Sequence, residues 1–173
     1  GHQLHQFVEK TSFLCTIKST QTIEKSQEWA VTQLNNVVAS MGAAMAQQQI
    51  ECSLDIDEKL SINADWQMLY EVFTYLMHNA IKFSPEKGKI TISQKKDGDS
   101  VIITISDQGP GIKPEWLRKI FDEFAIQDIM HHQKGQGLSL AIAKHVMRLH
   151  NGFITVENNP DQGTTFSLGL PLT

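Results

Sequence analysis

The sequence predicts an α+β protein, a two-layer sandwich in which helices pack on one face of a mixed, largely antiparallel sheet. Segments with apolar residues at helical spacing are separated by segments in which apolar and polar residues alternate, as they do in strands. Two pairs of the alternating segments are joined by short turns rich in Gly, Asn and Asp, which indicates antiparallel hairpins. This order of elements predicts helices and sheet as two layers around one core.

The composition is that of an ordinary globular domain. The chain has 173 residues, 40% of them apolar and 20% charged, which is enough for one domain with a sizeable core. A net charge of −4 and scattered basic residues argue against nucleic acid as a partner. No apolar run approaches the roughly 20 residues that span a bilayer, and no signal peptide is visible. Cys15 and Cys52 lack metal-ligand spacing and are expected to be buried, reduced thiols of a cytoplasmic protein.

The first 25 residues differ from the rest of the chain. The chain begins Gly-His without Met, which predicts a piece of a longer protein. Residues 2–19 have a loosely amphipathic pattern without an obvious partner for their apolar face. We therefore expect residues 1–25 to be the end of a preceding helical module or a linker, and residues 26–173 to form the domain.

The first elements of the domain are a helix and a strand. Ile23 is placed on a short strand, and Ser26 is suited to cap a helix over residues 27–48. Gly42 weakens the middle of that helix. Alternation over residues 50–56 predicts a half-buried strand.

The helix predicted over residues 66–83, which the segment Asn63-Ala-Asp65 could cap, has two different faces. Its apolar side chains fall on one arc and a narrow polar arc lies opposite. The polar arc consists of Glu71, Tyr75, His78, Asn79 and Lys82. Such an arc can point several polar groups at one ligand or can be a solvated face, and the pattern alone leaves both interpretations open.

Two strands and a short helix follow. Strands are predicted around residues 90–92 and 101–105, joined through the Asp-Gly turn of residues 96–99. The second strand is almost continuously apolar, as expected for a central strand covered on both faces. Pro114 opens a short helix over about residues 114–121. Residues 125–134 lack periodicity and predict a loop.

A glycine pair then precedes an amphipathic helix. The apolar stripe of this helix consists of Leu138, Ile142, Val146 and Leu149. Asn151-Gly152 ends it, and a second hairpin is predicted over residues 153–170. At its start, Gly135 and Gly137 leave N–H groups uncovered where the helix dipole is positive, which suits phosphate. The alternative is a glycine turn that only starts a buried helix.

Four motifs stand in order along the domain. They are HNAIKFSP (78–85), DQGPGI (107–112), FDEF with GQGLSLAIAKHVMRLHNG (121–124 and 135–152), and GTTF (163–166). Each alone is weakly specific. In this order and spacing they closely resemble the catalytic ATP-binding domain of two-component sensor histidine kinases, in the superfamily shared with gyrase. The resemblance covers about residues 26–172 and implies the Bergerat-type ATP-binding fold, with ATP and Mg²⁺ as ligands.

The resemblance implies that Asp107 reads adenine. A buried carboxylate at a strand end can accept from the exocyclic amine of adenine, which guanine lacks at that position. Gly109 and Gly111 let the backbone approach the base without a Cβ, and Ile112 completes the motif. Thr164 is expected near the aspartate, supporting base binding through its hydroxyl or a water. The segment DQGPG could also be a simple tight turn after a strand.

The other implied contacts are to the metal and the phosphates. Asn79 matches the asparagine that holds Mg²⁺ against the triphosphate, and this ion takes few protein oxygens. Lys82 is placed to reach a phosphate. Phe83 sits where the family stacks an aromatic ring near adenine, although its place on the helix suits the core equally well. The backbone N–H groups expected at the phosphates are those of Gly135, Gln136, Gly137 and Leu138.

Three departures from the family pattern bear on catalysis. The kinases have a second asparagine, and the related ATPases a general-base glutamate, where this chain has Tyr75; a phenol cannot be that base near neutral pH. Glu71 lies one turn earlier and could act through water.

The other departures concern the loop before the glycine-led helix, which the resemblance identifies as the lid over ATP. Lys134 replaces a glycine at the end of this lid and could contact the γ-phosphate. Ser139 should be tolerated in the first turn of the helix. The lid lacks arginine, and its cationic candidates are His131, His132 and Lys134. No catalytic residue is certain, and Glu71, Tyr75 and Lys134 are the candidates.

The leading hypothesis is a kinase domain that binds Mg·ATP and passes the γ-phosphoryl to a histidine on a separate dimerisation domain, for transfer to a response regulator. No His-Glu-x-x-Thr motif precedes residue 26. The resemblance therefore places the acceptor histidine upstream, in a homodimeric parent protein whose membrane attachment the sequence leaves open. One alternative is a degenerate signalling module that acts by docking to partners. Another is a standalone ATPase, which the missing base disfavours.

Overall fold

The computed structural model describes residues 22–122 and 139–172. Its strands are Ser26–Trp29 (β1), Glu51–Asp55 (β2), Ser61–Ala64 (β3), Lys89–Asp97 (β4), Ser100–Ser106 (β5), Phe153–Asn158 (β6) and Thr164–Pro171 (β7). Its helices are Ala30–Ser40 (α1), Gly42–Gln47 (α2), Trp66–Phe83 (α3), Pro114–Leu117 (α4) and Ser139–Leu149 (α5). Within these ranges, no helix has the length and apolar character needed to cross a membrane.

Five strands form one mixed sheet in the order β2-β4-β5-β7-β6. β2 runs parallel to β4, and every other neighbouring pair is antiparallel. The β4–β5 hairpin turns at Gly98, whose φ of 60° is one that glycine adopts without strain. β1 and β3 form a separate two-stranded antiparallel sheet. The predicted mixed, largely antiparallel sheet is confirmed.

The helices α1, α3 and α5 cover one face of the large sheet and enclose the core with it. Core side chains that are at most 1% exposed include Leu34, Val37, Leu69, Phe73, Ile90, Ile92, Ile103, Ile142, Val146 and Leu168. The opposite face of the sheet carries half-buried hydroxyl side chains, namely Thr91, Ser93, Thr104, Ser106, Thr165 and Ser167. The two-layer α+β sandwich is therefore confirmed.

The central strand β5 is covered on one face, so the prediction that both its faces are buried is wrong. Val101, Ile103 and Ile105 are buried against the helices. Ile102 and Thr104 point the other way and are only half-buried. The apolar run predicted the central strand correctly, but it did not predict that helices pack on only one face of the sheet.

The start of the domain differs from the single helix predicted over residues 27–48. Ser26 does not cap a helix; it pairs with Ala64 in the small sheet. Helix α1 starts at Ala30, after Trp29 in extended conformation, and the helical segments are separated at Met41. Short strands such as β1 and β3 form only when the chain brings them together, so local periodicity did not predict them.

Two smaller predictions also need correction. Helix α4 ends at Leu117, short of residue 121. Cys52 is half-buried rather than buried, and its partial burial raises the pKa of the thiol, which favours the protonated form. Cys15 lies outside the described residues.

The start of α3 and the end of α5 form at the residues that the sequence indicates. At the end of α5, however, Asn151 and not Gly152 adopts the left-handed conformation. Asp65 caps α3, accepting from the Met68 N–H at 3.2 Å. After α5, the left-handed residue is Asn151, with φ 56°, rather than Gly152. Gly152 is needed for packing instead, because a Cβ there would lie 2.1 Å from the carbonyl oxygen of Gly169.

Candidate functional site

Asp107 lies directly beyond the end of the central strand β5 and is only 7% exposed. Its Oδ1 accepts from the backbone N–H of Gly109 at 2.8 Å and from that of Thr164 at 3.2 Å. Burial raises the pKa of the Asp107 carboxyl, and these two backbone hydrogen bonds oppose that rise. Among the described residues, no donor reaches Oδ2, so one oxygen of a buried carboxylate keeps its capacity to accept.

Glycines let three segments pack closely around this carboxylate. A Cβ at Gly109 would lie 2.6 Å from the carbonyl oxygen of Phe83, at the end of α3. Gly163 has φ 100°, and a Cβ there would lie 1.9 Å from the carbonyl oxygen of Asp107. Thr164, which follows it, is 5% exposed and lies beside Asp107 as expected. The structure thus brings the motifs at 78–85, 107–112 and 163–166 together.

The polar arc of α3 is not a uniformly solvated face. Asn79 is only 8% exposed, and its carboxamide makes no hydrogen bond to the described residues. Lys82 is exposed, although partial desolvation lowers the pKa of its amine. Phe83, Tyr75 and Glu71 are half-buried. A nearly buried carboxamide without a partner among the described residues is a group that a ligand can satisfy.

The aromatic rings of two further motifs meet. Phe121, from FDEF, packs edge-on against Phe166, from GTTF, with ring centroids 6.3 Å apart and an interplanar angle of 82°. Ile120 beside it is buried. This contact ties the segment that precedes the predicted lid to β7.

The predicted phosphate loop lies outside the described residues. This holds for Gly135, Gln136, Gly137 and Leu138, and also for His131, His132 and Lys134. Their roles stay predictions. Ser139, the first described residue of α5, is buried at 3% exposure.

Sequence reasoning predicted the turn between β6 and β7 but missed the contacts that its side chains make. Asn159 donates from Nδ2 to the Ser106 hydroxyl at 3.0 Å and to the Asp107 carbonyl at 3.2 Å. Gln162 donates from Nε2 to the Gln108 carbonyl at 2.9 Å. The only signal was a turn rich in Asn, Pro and Gly, which predicts a turn but not which backbone groups its side chains bind.

It also missed a buried histidine at the other end of the domain. His150 is 1% exposed, and its Nε2 accepts from the Asp65 N–H at 2.9 Å. That contact leaves Nδ1 as the protonated nitrogen, which donates to the Val146 carbonyl at 2.8 Å. Burial lowers the pKa of His150. The imidazole therefore joins the end of α5 to the start of α3 in its neutral form.

The donor set around the site suits a metal held mainly by a ligand rather than by protein. In residues 22–122 and 139–172, no three or more His, Cys, Asp or Glu side chains are grouped so that they could hold an ion. Asn79 offers a single amide oxygen. One protein oxygen is a sufficient contribution to Mg²⁺ bound with phosphates and waters.

Comparison with known proteins agrees with this geometry. Residues 64–173 match the family described as histidine kinase-, DNA gyrase B- and HSP90-like ATPase. The chain is 29% identical over 180 residues to the circadian input-output histidine kinase CikA of Synechocystis, covering 99% of this chain and 24% of that protein. It is 33% identical over 142 residues to the sensor-like histidine kinase SenX3 of Mycobacterium bovis, covering 81% of this chain and 35% of that one. The chain therefore spans about a quarter to a third of these relatives.

A solved structure shows the same fold. The catalytic domain of the histidine kinase ThkA superimposes with a TM-score of 0.79 at 26% identity, covering 87% of this chain and 97% of that domain. The family match spans well over half of the chain and includes the motifs that meet around Asp107. The chain belongs to the histidine kinase-, DNA gyrase B- and HSP90-like ATPase family, and its domain is the catalytic domain of sensor histidine kinases.

Proposed function

We propose that this domain binds Mg·ATP with its adenine against Asp107 and passes the γ-phosphoryl to a histidine on a separate dimerisation domain. The observation that carries the proposal is the unequal use of the two Asp107 oxygens. Oδ1 accepts from two backbone N–H groups, and Oδ2 accepts from none of the described residues. The exocyclic amine of adenine can donate to Oδ2. Guanine has a carbonyl oxygen at that position, which would face a carboxylate.

The C-terminal half of α3 supplies the groups that would meet the phosphates. Asn79 has a nearly buried amide oxygen suited to Mg²⁺, and this ion supplies charge neutralisation of the triphosphate when bound. Lys82, one turn later, brings a positive charge to the same end of the helix. The Phe83 carbonyl lies close to Gly109, and the half-buried Phe83 ring is the aromatic group that would lie near the base. Residues 135–138 would add backbone N–H groups.

The chain contributes positioning and electrostatics rather than covalent chemistry. Phosphoryl transfer needs an aligned acceptor and a neutralised triphosphate, and it does not require a strong base on this domain. Tyr75 and Glu71 are half-buried on α3, and a phenol at position 75 cannot be the base of a direct hydrolase near neutral pH. The chain alone should bind nucleotide and turn it over slowly. The phosphoryl group would pass from the acceptor histidine to an aspartate of a response regulator, and the histidine kinase relatives do not favour the docking-only alternative.

Titration with a fluorescent ATP analogue, with and without Mg²⁺, tests this function. We expect saturable binding that Mg²⁺ strengthens in the native chain. Asn79→Ala should remove most of the Mg²⁺ effect, because it deletes the proposed protein ligand. Asn63→Ala is the matched control, since it removes an exposed carboxamide from β3. The absence of saturable binding by the native chain at millimolar nucleotide would refute the proposal.

A further inference from the structure

The end of β6 holds the far side of the DQGPGI loop through a single side chain. Asn158 accepts at Oδ1 from the Ile112 N–H at 2.8 Å and donates from Nδ2 to the Ile112 carbonyl at 2.7 Å. A carboxamide that binds both backbone groups of one residue imitates a neighbouring strand and fixes that residue in position and orientation. Pro110, Gly111 and Ile112 lie outside any helix or strand. The two hydrogen bonds from Asn158 therefore hold a loop that has no helix or strand hydrogen bonds of its own.

The conformation of the loop is matched to this contact. Gly111 has φ 81°, in the left-handed region that favours glycine. A Cβ at Gly111 would lie 3.0 Å from Oδ1 of Asn158, so the backbone of Gly111 passes close to the carboxamide. The glycine therefore allows the turn that presents both backbone groups of Ile112 to Asn158.

Neighbouring residues of the same turn hold the near side of the loop. Asn159 binds the Asp107 carbonyl, as described above. Asn158 also lies directly opposite Thr164 in the β6–β7 ladder, and the Thr164 N–H donates to Oδ1 of Asp107. The end of β6 therefore connects Ile112 to the Asp107 carboxylate. Asn158 binds Ile112, and its ladder partner Thr164 binds Asp107.

We propose that Asn158 is a positioning residue for adenine recognition, which keeps the segment from Gly109 to Ile112 at the spacing from Asp107 that the base requires. This inference rests on the nucleotide binding proposed above. Asn158 does not touch the reacting atoms; it acts through the loop. Its side chain is exposed, so its two hydrogen bonds compete with water and contribute little to global stability. Removing it should therefore affect base binding far more than folding.

The test compares native chain, Asn158→Ala and the control Asn63→Ala by displacement of a fluorescent ATP analogue with ATP and with GTP, and by thermal unfolding. We expect Asn158→Ala to bind ATP about tenfold more weakly, the size expected if the released loop holds its binding-competent position about one tenth of the time. GTP affinity should change by less than about twofold, since GTP does not make the adenine contact. The melting temperature should match that of Asn63→Ala, which should bind both nucleotides as the native chain does.

Two results would overturn the inference while leaving the proposed function intact. One is an unchanged ATP affinity in Asn158→Ala. The other is an equal loss of ATP and GTP binding together with a lowered melting temperature, which would make Asn158 a general structural residue. If the native chain itself shows no saturable ATP binding, the proposed function fails and this inference fails with it, so the two failures are distinguishable.

Discussion

Two buried aspartates lie towards opposite ends of α3, and they are used in different ways. Asp65, at its start, is 9% exposed; Asp107, which packs near its end through Gly109 and Phe83, is 7% exposed. In Asp65, Oδ1 accepts from Met68 and Oδ2 accepts from the Glu24 N–H at 3.3 Å. In Asp107, only Oδ1 is engaged by the described residues. Burial alone therefore does not identify a ligand site; the unused hydrogen-bonding capacity of the buried group does.

The largest effect that this comparison predicts is a loss of folding stability when Asp65 is replaced. Asp65→Ala removes a helix cap and a second backbone hydrogen bond, and should lower the free energy of unfolding by about 2 kcal/mol. ATP affinity should hardly change, because the 18 residues of α3 separate its two ends by about 27 Å. Urea unfolding and nucleotide titration measure the two quantities.

Asp55→Ala is the control for this substitution, since Asp55 is exposed at the end of β2. It should leave both stability and ATP affinity unchanged. The contrast between the two aspartates would be wrong if Asp65→Ala weakened ATP binding as strongly as a change at Asp107, or if it were as stable as Asp55→Ala.

A smaller effect at the same end depends on pH. Burial lowers the pKa of His150 below its ordinary value of about 6.5, and the neutral Nε2 accepts from the Asp65 N–H. The unfolded chain therefore binds the proton first as pH falls. The stability from this contact is present above pH ~6.5 and is lost as pH falls below that value, by at most about 1.4 kcal/mol per pH unit. Among charged neighbours, Asp65 opposes this lowering of the pKa and Lys25 adds to it.

Urea unfolding between pH 7.5 and pH 5.5 measures the dependence, with the window centred about the ordinary histidine pKa. His150→Gln should flatten the slope, because an amide oxygen can still accept from Asp65 but does not titrate. Equal slopes for the native chain and His150→Gln would contradict the assignment.

The parts of the fold that the sequence predicted well are those set by local pattern. The extent of α3, a cap within residues 63–65 and the turn at Gly98 follow from periodicity and from turn chemistry that act within a few residues. The pairing of β1 with β3 and the neutral His150 contact depend on segments distant in the chain, and no local pattern reports them. The partial exposure of one face of β5 was not predicted for the same reason.

The same distinction between local and distant contacts applies to the candidate site. The place of Asp107 after the central strand could be predicted, because a strand end followed by a glycine turn is a local feature. The contacts of Asn158, Asn159 and Gln162 could not, because they depend on how the β6–β7 turn folds back onto another strand. Asn79 was placed correctly on α3, but its burial became visible only once the opposite elements were in place.

The base preference of Asp107→Asn is the most direct test of the contrast between the two aspartates. Calorimetric titration with ATP and with GTP would be compared among the native chain, Asp107→Asn and the control Asp55→Asn. A hydrogen bond to a charged acceptor is lost, so ATP affinity should fall roughly ten- to a hundredfold. The ATP-over-GTP preference should fall with it, and Asp55→Asn should behave as the native chain. An ATP affinity and base preference unchanged in Asp107→Asn would contradict the account.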